Sequence, residues 1–321
     1  MPVNVFFAAG DENWRDYRAP LAAAFRDAGL DVALSDRAPD PANVDYIVFA
    51  PGGVISDFGP YTRCKAVLSL WAGVEKLVPN PTLTQPLCRM VNHELTEGMV
   101  EYVTGHVLRH HLGMDAHIQG QDGVWRNTVM PPLARERTVA VLGLGELGAA
   151  CAQALAALNF RVLGWGRSPK TVPGVACLSG EAGLREALSQ AGIVVLLMPL
   201  TAETTNLLNA ERLALMPTGA VIINPGRGAL IDDDALLAAL DAGHVGHATL
   251  DVFRVEPLPP EHPYWRHPRV TVTPHIAADT REQGNSATLG IENHTGTVAF
   301  LYSYSEAVVS ELVADKGYHS N

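Results

Sequence analysis

Along this chain, short apolar runs rich in β-branched residues alternate with stretches of helical periodicity, and turns containing Gly or Pro separate them. That alternation predicts βα units and parallel sheets. In the first 91 residues the strand-like runs fall at 3–8, 32–34, 46–50, 66–70 and 87–91. The clearest helical pattern covers 14–28, with Leu21 and Phe25 four residues apart and Gly29 as its stop. These elements predict a small parallel-sheet domain. Two turns, Pro51-Gly52-Gly53 and Trp71-Ala72-Gly73-Val74, follow strand carboxyl ends, where ligands of open parallel sheets collect. Their glycines suit either tight structural turns or backbone N–H groups presented to a small carboxylate.

A long helical pattern follows at 96–117, with Met99, Val100, Val103, Val107, Leu108 and Leu112 on one side. It is expected to join the first domain to the rest of the chain, as core or as a subunit contact. Its adjacent His110 and His111 point to different sides of a helix, so no metal is expected there. From residue 138 the βα pattern resumes. Runs at 138–142 and 160–165 flank an Ala/Leu-rich helix at 149–158, and continuous apolar runs at 193–198 and 219–224 read as strands buried on both faces. Asp232, Asp233 and Asp234 crowd the start of a helix at 235–242, where carboxylates suit the helix dipole. Runs at 248–252 and 270–273 supply the last strands.

The order strand, glycine turn, helix, strand around Gly143-Leu144-Gly145-Glu146-Leu147-Gly148 is what a pyrophosphate needs. Gly143 permits the tight turn, Gly145 the close approach of backbone to phosphate, and Gly148 the close packing of helix on strand. The helix start at Glu146 and Leu147 then faces the anion with unsatisfied N–H groups. An ordinary α/β turn is the competing reading, and the flanking strands favour the dinucleotide. Met198 and Pro199, at the end of the next buried strand, join the candidate cofactor surface. The second strand of the motif ends in Trp165-Gly166-Arg167-Ser168-Pro169-Lys170, without the carboxylate that usually holds an NAD ribose. Arg167 and Lys170 can neutralise a 2′-phosphate and Ser168 can hydrogen-bond it, so NADPH is the preferred cofactor, with NADH as the alternative.

Composition narrows the class. The 321 residues are 47% hydrophobic and 18% charged, as in a globular protein with room for two α/β domains. No apolar run reaches the length of a membrane span, and the N-terminus reads as a first strand rather than a signal peptide. A net charge of -11 argues against nucleic acid or an anionic membrane as partner. The four cysteines have no CxxC spacing, which suits reduced thiols in a cytoplasmic protein.

Three polar residues follow strand ends in the second half: Arg227, Glu256 and His275. In parallel strands all three would reach the sheet edge that carries the phosphate turn. Their types suit reduction of a 2-keto acid, which leaves an alkoxide needing a proton and presents a carboxylate needing a cation. His275 can give the proton, Glu256 can hold its imidazolium, and Arg227 can make bidentate contacts. Singly each is unremarkable: a loop Arg, a surface Glu, a His at a strand end. His262 and His267 beside Trp265 read as packing residues of a loop rather than zinc ligands.

The glycine turn, Asn224-Pro225-Gly226-Arg227-Gly228, Leu250-Asp251-Val252-Phe253 with Glu256-Pro257-Leu258-Pro259, and the run from His267 through Thr273-Pro274-His275-Ile276-Ala277-Ala278 together resemble the D-isomer-specific 2-hydroxyacid dehydrogenases. Within that family the chain is most similar to the glyoxylate/hydroxypyruvate reductase A branch, over residues 1 to 280. The resemblance implies two Rossmann-like or flavodoxin-like parallel-sheet domains with the active site in the cleft between them. A substrate domain would span 1–95, completed by the tail 283–321, and a dinucleotide-binding domain 96–282. It further implies Arg227 as carboxylate and carbonyl binder, His275 as acid/base with Glu256 as partner, and Asp251 on the nicotinamide carboxamide. Trp71, Ala72, Gly73 and Val74 would take the substrate carboxylate through backbone N–H groups. Trp71 replaces the family's usual alanine and puts the substrate size in question. A homodimer built around 96–117 and NADPH-driven reduction of small 2-keto acids complete the expectation. An NAD-dependent relative of phosphoglycerate dehydrogenase type and a weakly active dinucleotide-sensing protein are the rivals.

The chain departs from the family after Asp279. Gly284, Gly290 and Gly296 interrupt the segment where a helix should return to the first domain, each costing about 1 kcal/mol in a helix interior. Only 305–316 reads as helix. A lineage-specific replacement or a shifted reading frame would explain this tail.

Overall fold

The computed structural model describes residues 2–278, apart from 39, 51, 71–72, 75–76, 89–92, 126 and 128–129. The tail reading for residues after 279, and the Trp71 and Ala72 assignments, lie outside the described residues. The chain forms two compact units, divided between Asn92 and His93.

In the first unit, β1 (Val3–Phe7), β2 (Val32–Ser35), β3 (Tyr46–Phe49), β4 (Ala66–Ser69) and β5 (Leu87–Cys88) make one sheet in the order β2-β1-β3-β4-β5, every pair parallel. The period-2 alternation of the sequence sorts its core. Val5, Phe7 and Val48 pack with Leu21, Ala24 and Phe25 of helix α1 (Asp11–Asp27), while Phe6, Ile47 and Val67 face Phe58 and Tyr61.

The second unit contains α2 (His93–His111), α3 (Met114–Gln119), β6 (Thr138–Leu142), α4 (Glu146–Ala157), β7 (Arg161–Gly166), β8 (Ala176–Ser179), α5 (Gly180–Gln190), β9 (Ile193–Leu196), α6 (Ala210–Ala214), β10 (Ala220–Asn224), α7 (Asp233–Asp241), β11 (Val245–Leu250) and β12 (Val270–Val272). Its strands run in the order β12-β11-β10-β9-β6-β7-β8, all parallel. This is the doubly wound Rossmann-like order. The chain reverses direction across the sheet beside β6, which places the glycine turn at the topological switch point. Ala140, Leu142, Val194 and Leu196 pack under α5, α6 and α7 through Leu184, Leu188, Leu213 and Leu236. Val139, Val141 and Val195 meet Met99, Val103 and Val107 of α2 and Leu155 of α4 on the opposite face. Strands buried on both faces explain their uninterrupted apolar runs.

Four helices start earlier than the sequence expectation, at His93 for the one expected at 96–117, and that helix also ends earlier. The helices expected at 14–28, 149–158 and 235–242 begin at Asp11, Glu146 and Asp233. Each gains a first turn carrying acidic residues, which add no apolar periodicity but suit the positive end of the helix dipole. The continuous helix expected at 96–117 stops at His111. Gly113, at φ 64, takes the left-handed conformation between α2 and α3, a position that ends helices and favours glycine.

Candidate active site

The glycine turn closes β6 and opens α4. Gly143 has φ 107, and a Cβ there would lie 2.6 Å from the Leu197 carbonyl. A Cβ on Gly148 would come within 1.7 Å of the Gly143 oxygen, so helix and turn meet backbone to backbone. Gly145 is different: its φ of -70 suits any residue, and a Cβ there would meet nothing within 4 Å. Glycine at this position therefore keeps space open rather than relieving strain. Gly145 is also the N-cap of α4, with no side-chain cap on the helix N–H groups. An open volume in front of uncapped N–H groups fits a pyrophosphate.

Glu146 is exposed and Leu147 half-buried at the start of α4; Met198 is buried and Pro199 exposed beyond β9. Arg167, Ser168 and Lys170 are exposed just past β7. The Lys170 ammonium donates to the Leu144 carbonyl at 2.8 Å, which holds its charge beside the glycine turn. These residues fit a dinucleotide carrying a 2′-phosphate.

Arg227, Glu256 and His275 follow β10, β11 and β12, three neighbouring parallel strands, and so share one edge of the sheet. Arg227 caps a short 3-10 turn, and its guanidinium donates to the Gly226 carbonyl at 2.8 Å. The buried Asn224 braces this loop: its amide donates to the Arg227 carbonyl, and its side-chain oxygen accepts from Gly226 N–H. A Cβ on Gly228 would fall 2.1 Å from the Phe253 carbonyl carbon, so the Arg227 loop lies directly against the segment leading to Glu256.

His275 and Glu256 are in contact, His275 Nδ1 to Glu256 Oε2 at 2.7 Å. A carboxylate only accepts, so Nδ1 carries the proton and Nε2 is left to face outward. The other Glu256 oxygen accepts from Phe253 N–H at 2.8 Å, which fixes the carboxylate. His275 adopts φ 57, a left-handed conformation uncommon for residues other than glycine. Its N–H donates to the Asp251 carbonyl at 2.8 Å.

Asp251 is fully buried and does more than the sequence expectation gave it. Its carboxylate accepts from the Thr273 hydroxyl at 2.6 Å and from the N–H groups of Ile276 and Ala277 at 2.9 Å each. It thereby anchors the loop that carries His275. In the sequence Asn224 carried no role of its own, and Asp251 only the carboxamide contact that the resemblance implies.

Of the first-unit turns, Gly52 has φ 85, and a Cβ on Gly53 would lie 2.1 Å from the Ala8 carbonyl oxygen. That turn is a close-packed structural one. Gly73 and Val74 are half-buried, and the Val74 carbonyl accepts from Leu77 and Val78. His110 and His111 diverge: His110 bonds Thr249 at 2.8 Å, while His111 stacks edge-on against Phe160. His262 caps the short turn before Tyr264, and His267 pairs with Asp241.

Residues 104–277 match the NAD-binding domain of the D-isomer specific 2-hydroxyacid dehydrogenases. A solved D-isomer specific 2-hydroxyacid dehydrogenase from Xanthobacter autotrophicus Py2, in complex with NADPH and MES, is 42% identical, with 86% of this chain and 88% of that one covered and a TM-score of 0.77. An NADPH-dependent glyoxylate/hydroxypyruvate reductase from Sinorhizobium meliloti, solved with NADP and sulfate, is 33% identical over 94% of this chain and 96% of that one, at TM-score 0.77. A probable 2-hydroxyacid dehydrogenase from Rhizobium etli CFN 42, solved with NADP, HEPES and L(+)-tartaric acid, is 29% identical, with coverages of 95% and 96% and TM-score 0.82.

Proposed function

The chain belongs to the D-isomer specific 2-hydroxyacid dehydrogenase family, and from that premise we propose that it is an NADPH-dependent reductase of small 2-keto acids such as glyoxylate and hydroxypyruvate. The observation that carries this reading is the 2.7 Å contact between His275 Nδ1 and Glu256, at the sheet edge that also bears Arg227 and the glycine turn. The Sinorhizobium reductase supports the substrate class.

Bound NADPH supplies the hydride. Gly143, Gly145, Gly148 and the α4 start would hold its pyrophosphate, and Arg167, Ser168 and Lys170 its 2′-phosphate, with Met198 and Pro199 bordering the coenzyme. The Arg227 guanidinium grips the substrate carboxylate and the adjacent carbonyl oxygen. His275, protonated at Nε2, gives its proton to that oxygen as negative charge builds on it. Glu256 keeps the ring in the required tautomer and balances the imidazolium charge. On resemblance alone, the 71–74 turn receives the substrate carboxylate and Asp251 meets the carboxamide of the coenzyme.

The unit ending at Asn92 is assigned as the substrate domain and the one beginning at His93 as the dinucleotide domain. A homodimer is assigned to the 96–117 region, and large apolar side chains just beyond it are exposed: Ile118 by 63%, Trp125 by 93% and Met130 by 86%. Free cysteines suit a cytoplasmic location, and no helix of the described residues is long and apolar enough to cross a membrane.

The test is NADPH oxidation with glyoxylate, hydroxypyruvate and the bulkier phenylpyruvate. Turnover of the first two is expected, with kcat/KM for NADPH at least about tenfold that for NADH, because the 2′-phosphate gains charge-assisted hydrogen bonds. Absence of turnover despite tight coenzyme binding would contradict the reading, as would a preference for NADH.

A further inference from the structure

The inward face of α2 carries a polar stripe that the proposed chemistry does not use. Tyr102, His106, Arg109 and His110 recur at helical spacing, and three of them end on threonines of β11, of β12 and of the turn leaving β12. Tyr102 Oη meets Thr273 Oγ1 at 2.7 Å, Arg109 donates to Thr271 at 3.0 Å, and His110 meets Thr249 at 2.8 Å. The Tyr102 contact differs from the others in where it leads. Thr273 has one hydroxyl proton and donates it to Asp251 Oδ1 at 2.6 Å. Its oxygen must then accept from Tyr102, so the chain has a fixed direction: Tyr102 to Thr273 to Asp251.

Asp251 in turn accepts from the N–H groups of Ile276 and Ala277, while its backbone carbonyl accepts from His275 N–H. Residues 273–277 thus wrap a single buried carboxylate, with His275 at their centre in a left-handed backbone conformation. A residue in that conformation stays there only when its surroundings hold it. From this geometry we infer that Tyr102 is a positioning residue: through Thr273 and Asp251 it fixes the loop that aims His275. The inference rests on His275 being the proton donor.

The experiment pairs Tyr102→Phe and Thr273→Val with Thr273→Ser, which keeps the hydroxyl. Steady-state kinetics, NADPH affinity, thermal unfolding and amide hydrogen exchange at Ile276 and Ala277 are read on each variant. Expected is a kcat lower by about tenfold in Thr273→Val and by about threefold in Tyr102→Phe, reflecting misalignment of the proton donor. The KM for keto acid and the NADPH Kd should stay within about twofold, since neither Tyr102 nor Thr273 is itself assigned to a ligand. Exchange at Ile276 and Ala277 should quicken by about tenfold or more in Thr273→Val and by about threefold in Tyr102→Phe, because local opening becomes easier. Thr273→Ser should recover most of both effects. A merely structural tyrosine would lower the unfolding temperature and leave kcat and exchange unchanged, and that outcome overturns the inference. The exchange measurement decides even if the unchanged chain reduces no 2-keto acid, a result that would remove the proposed function alone.

Discussion

At the scale of single residues, three side chains divide the proposed work. Glu256 holds the Nδ1 edge of the His275 ring with its Oε2 while its Oε1 is locked to Phe253 N–H. Glu256→Gln keeps the shape but can present its NH2 group to Nδ1, which favours the wrong tautomer and no longer balances the imidazolium. Turnover is expected to fall by about 10- to 100-fold, most of it in kcat, within the range general acid–base catalysis contributes. Arg227→Lys keeps the charge and loses the planar fork. A rise in KM for the keto acid of about tenfold or more is expected, since a bidentate contact becomes a single one. Rates within twofold of the unchanged chain in either variant would remove that residue from its assigned role. These residues were legible because each follows an apolar run that had to be a strand. The bracing roles were not: nothing in the sequence tied Asn224 to the Arg227 loop or Asp251 to the His275 loop, and Tyr102 lies 171 positions from the threonine it contacts. Sequence spacing carries no trace of such a pairing.

Among the elements, α4 and α2 make separate predictions. Gly145 leaves open space where any side chain would stand in the coenzyme's way, yet its backbone angles suit any residue. Gly145→Val is therefore expected to fold normally and to lose NADPH affinity by about 100-fold or more, the phosphates being displaced from the helix N–H groups. Gly148→Ala, by contrast, should destabilise the fold, because its Cβ has no room against the Gly143 carbonyl. Unfolding temperature and coenzyme titration together separate the two effects. On α2, burial pushes protonation of His110 down to about 3 and that of its neighbour His247 to about 4, their like charges reinforcing it for His110. In the unfolded chain both titrate near their ordinary pKa of about 6.5. Below that pH the unfolded state takes up more protons than the folded one, so stability falls as the solution is acidified. The loss begins near pH 6.5 and levels off once pH drops below the folded values, and it reaches up to about 2 kcal/mol per histidine at pH 5. Chemical denaturation at pH 7 and 5 should show it, and His110→Asn should shrink the difference; a stability independent of pH in this window would contradict the burial argument. The strands were the most legible elements, since burial on both faces leaves long apolar runs. Helix starts were the least, because their acidic first turns break the apolar pattern, and the stop at Gly113 was masked by apolar residues continuing on both sides.

For the whole molecule, two parallel sheets follow from the alternation of strand and helix, and the strand order puts the glycine turn at the switch point of the larger one. The proposed homodimer would cover the apolar side chains exposed beyond α2. Light scattering should give twice the chain mass, and Trp125→Asp combined with Met130→Lys should shift the species to the monomer at micromolar concentration. A monomeric unchanged chain would refute the assignment. Periodicity marks 96–117 as apolar on one side but does not say which neighbour that side meets. Buried Met99, Val103 and Val107 show that much of it serves the unit's own core.

The central claim is that His275 delivers the proton to a keto oxygen while the glycine turn independently holds the coenzyme. Comparing His275→Ala with the unchanged chain, for turnover of hydroxypyruvate and for NADPH binding by the same preparations, tests it most directly. Turnover is expected to fall by about 1000-fold or more, with NADPH Kd within about threefold, because the imidazole acts on the proton transfer and not on the dinucleotide. A variant that turns over within about threefold of the unchanged chain would contradict it, since removal of the proton donor must slow the step it serves.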